Sequence, residues 1–239
     1  MPPAPALTPD RKRELLARVP LFQGFAAREI DALVPAARAV TVAARKEVFH
    51  KGDTGSQLYV VIDGRLKALT TSPEGDDVVF NVMGPGEVFG EVALLSEFPR
   101  SATVRAIERC ELLVLDRRDF LAFLKRNPDV AVRMLTVLAE RLARISEFVE
   151  DVQFLNLPVR LAKKLAVFAE RYGHPGKSGA VKIDLKLSQE EWGDLVGTTR
   201  ESINKQMRAW SDEGLIQIDA GLVTLLRPEA IERLAAATF

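Results

Sequence analysis

Residues 90 to 104, GEVALLSEFPRSATV, place Gly90-Glu91 ten residues ahead of Arg100-Ser101, with an apolar turn between them. A carboxylate only accepts hydrogen bonds, so a buried Glu91 needs hydroxyls or a cation around it. Arg100 offers a planar fork suited to a phosphate, and Ser101 adds a hydroxyl or backbone donor. Gly90 lets the backbone approach a ligand closely, and EVALL can open a short helix whose free N–H groups favour an anion. A ribose hydroxyl on Glu91 and a phosphate on Arg100 would satisfy both side chains at once. The plainer alternative is a Glu91–Arg100 salt bridge that closes a loop.

A second constellation lies in LSQEEWGDLVGTTRESINKQMRAW, residues 187 to 210. Ser188 with Glu191 makes a capping box that opens one helix, Gly197 ends it, and Thr199 caps the next. Two short helices joined through a glycine turn predict a helix-turn-helix. On the second helix Ile203, Met207 and Trp210 can pack inward, while Arg200, Glu201, Asn204, Lys205 and Arg208 share another face. Arginine or lysine can donate to the O6 and N7 edge of guanine, and glutamate can accept from the amino group of cytosine. Phosphates would repel a glutamate there, so Glu201 makes most sense as a base reader. The alternative is a solvated face with intrahelical pairs such as Glu201–Lys205. GLIQIDAGLVTLL then reads as a hairpin, which makes the unit winged.

These residues need elements to hold them. From Leu21 to Leu115 the pattern is short strands punctuated by glycine, with turns at Asp63-Gly64, Glu74-Gly75-Asp76 and Gly84-Pro85-Gly86. That spacing predicts a sandwich or jelly roll. Ahead of it, two short helices flank Pro20. Asn127-Pro128 is a helix start. In the long helix that follows, Leu135, Leu138, Leu142, Ile145, Val149 and Val152 alternate spacings of three and four, the seam of a parallel coiled coil. A homodimer is the expectation, and a helix packed on its own domain is the alternative. Pro158 is expected to break this helix, with a hinge near residues 154 to 158. PVRLAKKLAVFAERYG reads as an amphipathic helix and GHPGKSG as a loop. The expected division is an N-terminal extension (1–18), a ligand-binding domain (19–126), a dimerisation helix (127–154) and a winged helix-turn-helix (155–239), an α+β chain.

Bulk composition removes several function classes. The 239 residues carry 33 Lys plus Arg against 33 Asp plus Glu, so a charged partner must be met by a local patch. Cys110 is the only cysteine, and His50 and His174 are the only histidines. That excludes intrachain disulfides and multi-thiolate clusters, and it leaves too few ligands for an ordinary zinc site. No metal and no nucleophile–base pair is expected, so the chain does not read as an enzyme. No apolar run reaches the ~20 residues of a membrane span, and MPPAPALTP lacks a signal-peptide pattern, so a cytoplasmic protein is expected.

FGEVALLSEFPRSATV resembles the phosphate-binding cassette of cyclic-nucleotide-binding domains. With the long helix and LVGTTRESINKQ, the chain after its first eighteen residues resembles the family of bacterial transcription regulators that includes the cyclic-AMP receptor protein and the fumarate-nitrate regulator. The resemblance implies that Gly90 and Glu91 hold the ribose side of a cyclic nucleotide and that Arg100 and Ser101 hold its phosphate. Ala68 and Phe80 would line the base. Arg141 and Ser146 would approach the nucleotide from the dimer helix, Ser146 from a partner subunit. Arg200, Glu201 and Lys205 match the family's base-reading positions, and Ser188, Gln189, Thr199 and Asn204 complete a DNA surface for palindromes with TGTGA-like half-sites. The implied ligand is cyclic AMP, with cyclic GMP as the alternative. RNA polymerase is an implied partner, with Gly173 to Gly179 as its candidate contact. One position departs from the family: Ile145-Ser146 stands where the cyclic-AMP receptor protein has Thr-Ser, so one hydroxyl that could read adenine is missing. Redox- and haem-sensing relatives are disfavoured, because their ligand cysteines and histidines are absent. A nucleotide-independent DNA-binding protein, with Glu91 and Arg100 purely structural, is the second reading.

Overall fold

Period-two burial organises the first half of the chain. In the computed structural model, which describes residues 7–22, 25–72, 75–96 and 98–236, eight strands form two antiparallel four-stranded sheets. One runs in the order β1 (Arg38–Val42), β8 (Cys110–Asp116), β3 (Gln57–Asp63), β6 (Val88–Phe89). The other runs β2 (Glu47–Phe49), β7 (Thr103–Ala106), β4 (Leu66–Thr71), β5 (Asp77–Met83). The central pair β3 and β8 is buried on both faces. Tyr59, Val61, Leu112 and Val114 join Leu66, Ala68, Phe89 and Val104 in a cluster shared by the two sheets. Their alternates Leu58, Val60, Leu113 and Leu115 turn the other way, into a cluster built with helices.

Those helices are α1 (Pro9–Arg18), α2 (Ala27–Leu33), α4 (Arg117–Arg126) and the start of α5 (Pro128–Phe154). They contribute Leu16, Ile30, Leu33, Phe120, Phe123, Val130 and Met134. The segment expected to be an N-terminal extension therefore supplies a fully buried leucine to this core, in a helix capped by Thr8, whose Oγ1 accepts from Arg11 N at 3.3 Å. Residues 1–6 of that extension, and Glu74 of the expected turn, lie outside the described residues. Between β6 and β7 runs the short helix α3 (Glu91–Ser96).

The chain divides into two compact units, Met1–Arg141 and Leu142–Phe239. The boundary falls inside α5 rather than at either of its ends, because Val130 and Met134 belong to the first unit's core. The second unit contains α6 (Leu157–Tyr172), β9 (Gly173–Pro175), β10 (Val181–Ile183), α7 (Gln189–Val196), α8 (Arg200–Asp212), β11 (Ile216–Asp219), β12 (Leu222–Leu225) and α9 (Pro228–Ala235), with sheet order β11-β12-β10-β9. Phe168 of α6 packs on Trp192 of α7 with centroids 5.4 Å apart, and Ile203, Met207 and Trp210 of α8 are buried.

Two local expectations change. Pro158 does not end α5, which stops at Phe154; it sits in the first turn of α6, where its missing N–H costs nothing. Asn156 caps that helix, its Oδ1 accepting from Val159 N at 3.2 Å. GHPGKSG is not all loop either, since Gly173–Pro175 pairs with β10 as an edge strand, a position that tolerates proline.

Candidate functional site

Glu91 and Arg100 reach one cleft because α3 starts one residue after β6 and the chain returns through Arg100 into β7 at Thr103. The lining of this small, partly open cleft includes Phe49, Ala68, Phe80, Asn81, Gly90, Glu91, Arg100, Ser101 and Arg141. Phe80 on β5 is 52% exposed, so an aromatic face is offered at the mouth.

Arg100 is only 5% exposed. Its Nη1 donates to Gly90 O and its Nη2 to Gln57 O, both at 2.9 Å, and its guanidinium carbon lies 4.1 Å from the centre of the Phe49 ring. Its Nε is buried with no acceptor. Both acceptors are neutral carbonyls, so the group keeps its charge without a carboxylate against it. Burial pushes its pKa down, with Tyr59, Glu91 and Asp53 opposing. Two glycines make room. A Cβ at Gly55 would lie 2.6 Å from Nε, and one at Gly90, where φ is +83°, would lie 2.5 Å from Nη1. A buried, unneutralised cation with an orphaned donor suits an anion such as a cyclic phosphate.

Glu91 is 8% exposed, and the cation that meets it is Arg141 of α5 rather than Arg100: Arg141 Nη1 lies 2.5 Å from Glu91 Oε1. Arg141 Nη2 also donates to Val88 O. The structure thus brings together Gly90, Glu91, Arg100, Ser101, Ala68, Phe80 and Arg141. Ser146, with its neighbour Ile145, is exposed on the stretch of α5 that belongs to the second unit. Sequence reasoning missed Phe49, Gly55, Gln57 and Asn81. Only Gly55, within the turn sequence GDTG, carried a local signal.

In the second unit the capping box forms in full. Ser188 Oγ accepts from Glu191 N at 3.1 Å, and Glu191 Oε2 accepts from Ser188 N at 2.7 Å. Gly197 ends α7 at φ +76°, and Thr199 Oγ1 accepts from Ser202 N at 3.2 Å to cap α8. Gln189 is the first residue of α7. Arg200, Glu201, Lys205 and Arg208 are exposed along α8, and no ion pair joins Glu201 to Lys205 among the described residues. Glu201, Asn204, Lys205 and Arg208 line a shallow groove with Ala209 and Asp212, and Asn204 Oδ1 is buried there without a partner.

Comparison with known proteins agrees in both halves. Residues 39–127 match the cyclic nucleotide-binding domain, and residues 159–234 match the Crp-like helix-turn-helix domain. The CRP-like cAMP-activated global transcriptional regulator of Mycobacterium tuberculosis is 32% identical over 93% of this chain and 99% of its own length. The chain belongs to the CRP family of transcription regulators. Another relative in this family, the cyclic AMP receptor protein of Thermus thermophilus, is 31% identical over 90% of this chain and 96% of its own. Among solved structures, FixK2 from Bradyrhizobium japonicum shares the fold with a TM-score of 0.74 at 19% identity, covering 85% of this chain and 99% of that one. CRP-family membership gives this chain a nucleotide-binding β domain, a long helix and a DNA-binding domain. Along that helix Leu135, Leu142, Ile145, Val149 and Val152 are exposed, from 66% at Leu135 to 37% at Val152, while Leu138 packs partly on the first unit's core. Among the described residues no helix is long and apolar enough to cross a membrane, and no group of three or more His, Cys, Asp or Glu side chains could hold a metal.

Proposed function

We propose that the protein is a homodimeric regulator that binds cyclic AMP in the β domain and reads a palindromic TGTGA-like DNA site. The observation that carries this reading is the buried cation Arg100, held by neutral carbonyls beside an acid engaged by the dimer helix. In it, Arg100, Ser101 and the first-turn N–H groups of α3 hold the cyclic phosphate, where donors lack intrahelical acceptors. Glu91 and Gly90 take the ribose, Ala68 and Phe80 the base. The relatives named as cAMP-activated and cyclic AMP receptor support this ligand. Ser146 is assigned to the partner subunit's nucleotide.

The exposed stripe from Leu135 to Val152 is the face on which a second copy would pack. Dimerisation would present two α8 helices to successive major grooves about 34 Å apart, with Arg200, Glu201, Asn204 and Lys205 at base edges and Ser188, Gln189 and Thr199 on phosphates. Nucleotide binding would then act by population shift, favouring the arrangement of the two α8 helices that fits DNA. The segment from Gly173 to Gly179, edge strand β9 and the turn after it, is proposed as the surface offered to RNA polymerase.

Calorimetry with cyclic AMP and cyclic GMP, followed by selection from random DNA with and without the better ligand, tests this. The expected result is a heat of binding with cyclic AMP and a two-fold symmetric site whose capture depends on it. Tighter binding of cyclic GMP would reassign the ligand. Symmetric DNA capture with neither nucleotide bound would favour the nucleotide-independent reading, and an asymmetric site would reject the dimer.

A further inference from the structure

Two adjacent lysines on α6 sit in opposite surroundings. Lys163 Nζ donates to Glu147 Oε1 at 2.9 Å and to Asp151 Oδ1 at 2.7 Å, tying α6 to the end of α5. Burial works against its charge, but the bonds to Asp151 and Glu147 outweigh it and its pKa rises. Lys164 has no hydrogen bond or ion pair among the described residues. Its amine lies 5.9 Å from the Phe148 ring of α5 and 5.8 Å from the Phe168 ring of α6. Those distances are at the far end of cation–π attraction, so the rings enclose the amine more than they stabilise its charge. The charged groups facing it are Arg171 on α6, which repels, and Asp151 and Glu147 on α5, both already held by Lys163. Burial first and Arg171 second push the Lys164 pKa down. The residue is largely buried yet keeps some exposed surface, through which a small reagent can approach.

We propose that Lys164 is a site of acylation by small acyl phosphates. Its neutral amine attacks the acyl carbon, the N–C bond forms, the C–O bond to phosphate breaks, and inorganic phosphate leaves with the electron pair. The proton shed by nitrogen goes to solvent. The product is an uncharged amide, which suits the apolar walls better than an unpaired ammonium does. The position gives the modification a route to DNA reading. Phe148 also faces the turn ahead of α8, where a Cβ at Gly197 would lie 3.5 Å from its ring. Lys163, protonated and doubly bonded to carboxylates, is a built-in comparison one residue away.

Full-length protein incubated with acetyl phosphate near pH ~7.5 tests this, with initial acetylation rates followed at each lysine by peptide mass spectrometry. In native buffer Lys164 should react faster than Lys163 by roughly threefold or more, because its free-amine fraction is larger. In urea, where both environments are lost, the two rates should converge. A native Lys164 no faster than Lys163 overturns the proposal. So does an advantage that persists in urea, since the fold would then have no part in it.

Discussion

Replacing Arg100 with leucine removes a buried cation from the cleft. The side chain it replaces makes two 2.9 Å bonds to carbonyls and leaves Nε unpaired. A charged hydrogen bond contributes ~1.5–3 kcal/mol, so losing one such bond to a phosphate weakens binding by roughly ten- to a hundredfold or more. The substitution also takes one donor from Gln57 O and one from Gly90 O, which keeps Leu94 N at 3.3 Å, and a carbonyl left dry costs about 1–3 kcal/mol of stability. Binding must therefore be measured on protein shown to be folded by its thermal melt. Arg100→Lys separates charge from shape: it keeps a point charge but loses the planar fork, and should fall between the parent and Arg100→Leu. Glu91→Ala should weaken binding independently, through the ribose. Titration calorimetry with cyclic AMP reads all three. Unchanged affinity in folded Arg100→Leu and Glu91→Ala proteins would refute the pocket.

Ile145→Thr should widen the preference for cyclic AMP over cyclic GMP, because it restores a hydroxyl beside Ser146 where the parent has only a seam side chain; paired titrations of both nucleotides check it, and an unchanged ratio removes Ile145 from selectivity. Lys205→Ala should cost about 1–3 kcal/mol of DNA binding at one base position and relax preference there, read by competition with single-base variants of the selected site. Gly197→Ala should lower the stability of the winged unit by ~1–3 kcal/mol, since φ is +76° and the new Cβ would meet Val152 Cγ2 at 2.7 Å; a melt equal to the parent's would contradict that packing. Glu47 accepts from Arg105 Nη2 at 2.7 Å, and that bond holds its carboxyl pKa below the usual glutamate value, against an opposing burial effect. A depressed folded-state pKa means stability present above the unfolded value and lost as pH falls through the folded one. Arg105→Met should therefore be most destabilising near neutrality, and urea melts should show its deficit shrinking towards pH ~3.

What could be read in advance was what the chain encodes locally. Thr199, the Ser188–Glu191 box, Gly197 and Asn127-Pro128 each specify a boundary through their own backbone chemistry, and each boundary falls where expected. The acid and the arginine of the cleft were legible because their residue types are poor choices for anything else in an apolar turn. Their pairings were not. The resemblance put Arg141 at the site, but not its bond to Glu91, fifty residues away in sequence, and the Phe49 ring under Arg100 comes from a three-residue strand with no alternation of its own. The two-residue β6 is too short to carry a period at all. α4 did carry one, in Phe120, Phe123 and Leu124, but its start at Arg117 abuts β8 without a breaker. Which helices complete the core of the β domain was the least legible, because burial of Leu16, Val130 and Met134 is decided by distant strands.

That burial matters to anyone who would lift the sensor out of this chain. The stretch matching the nucleotide-binding domain, 39–127, omits Leu16, Val19, Phe22, Ile30 and Leu33 on one side and Val130 and Met134 on the other. A fragment cut there would strip α1, α2 and the start of α5 from the outward faces of β3 and β8, leaving Leu58, Val60, Leu113 and Leu115 only partly covered, chiefly by α4. Such a fragment presents a sticky sheet and invites aggregation. A graft that begins ahead of Thr8 and runs through Arg141 carries its own cover and keeps the arginine that meets Glu91. For a modular biosensor, the useful splice point therefore lies in the middle of a helix, where the host must supply the next turn in phase.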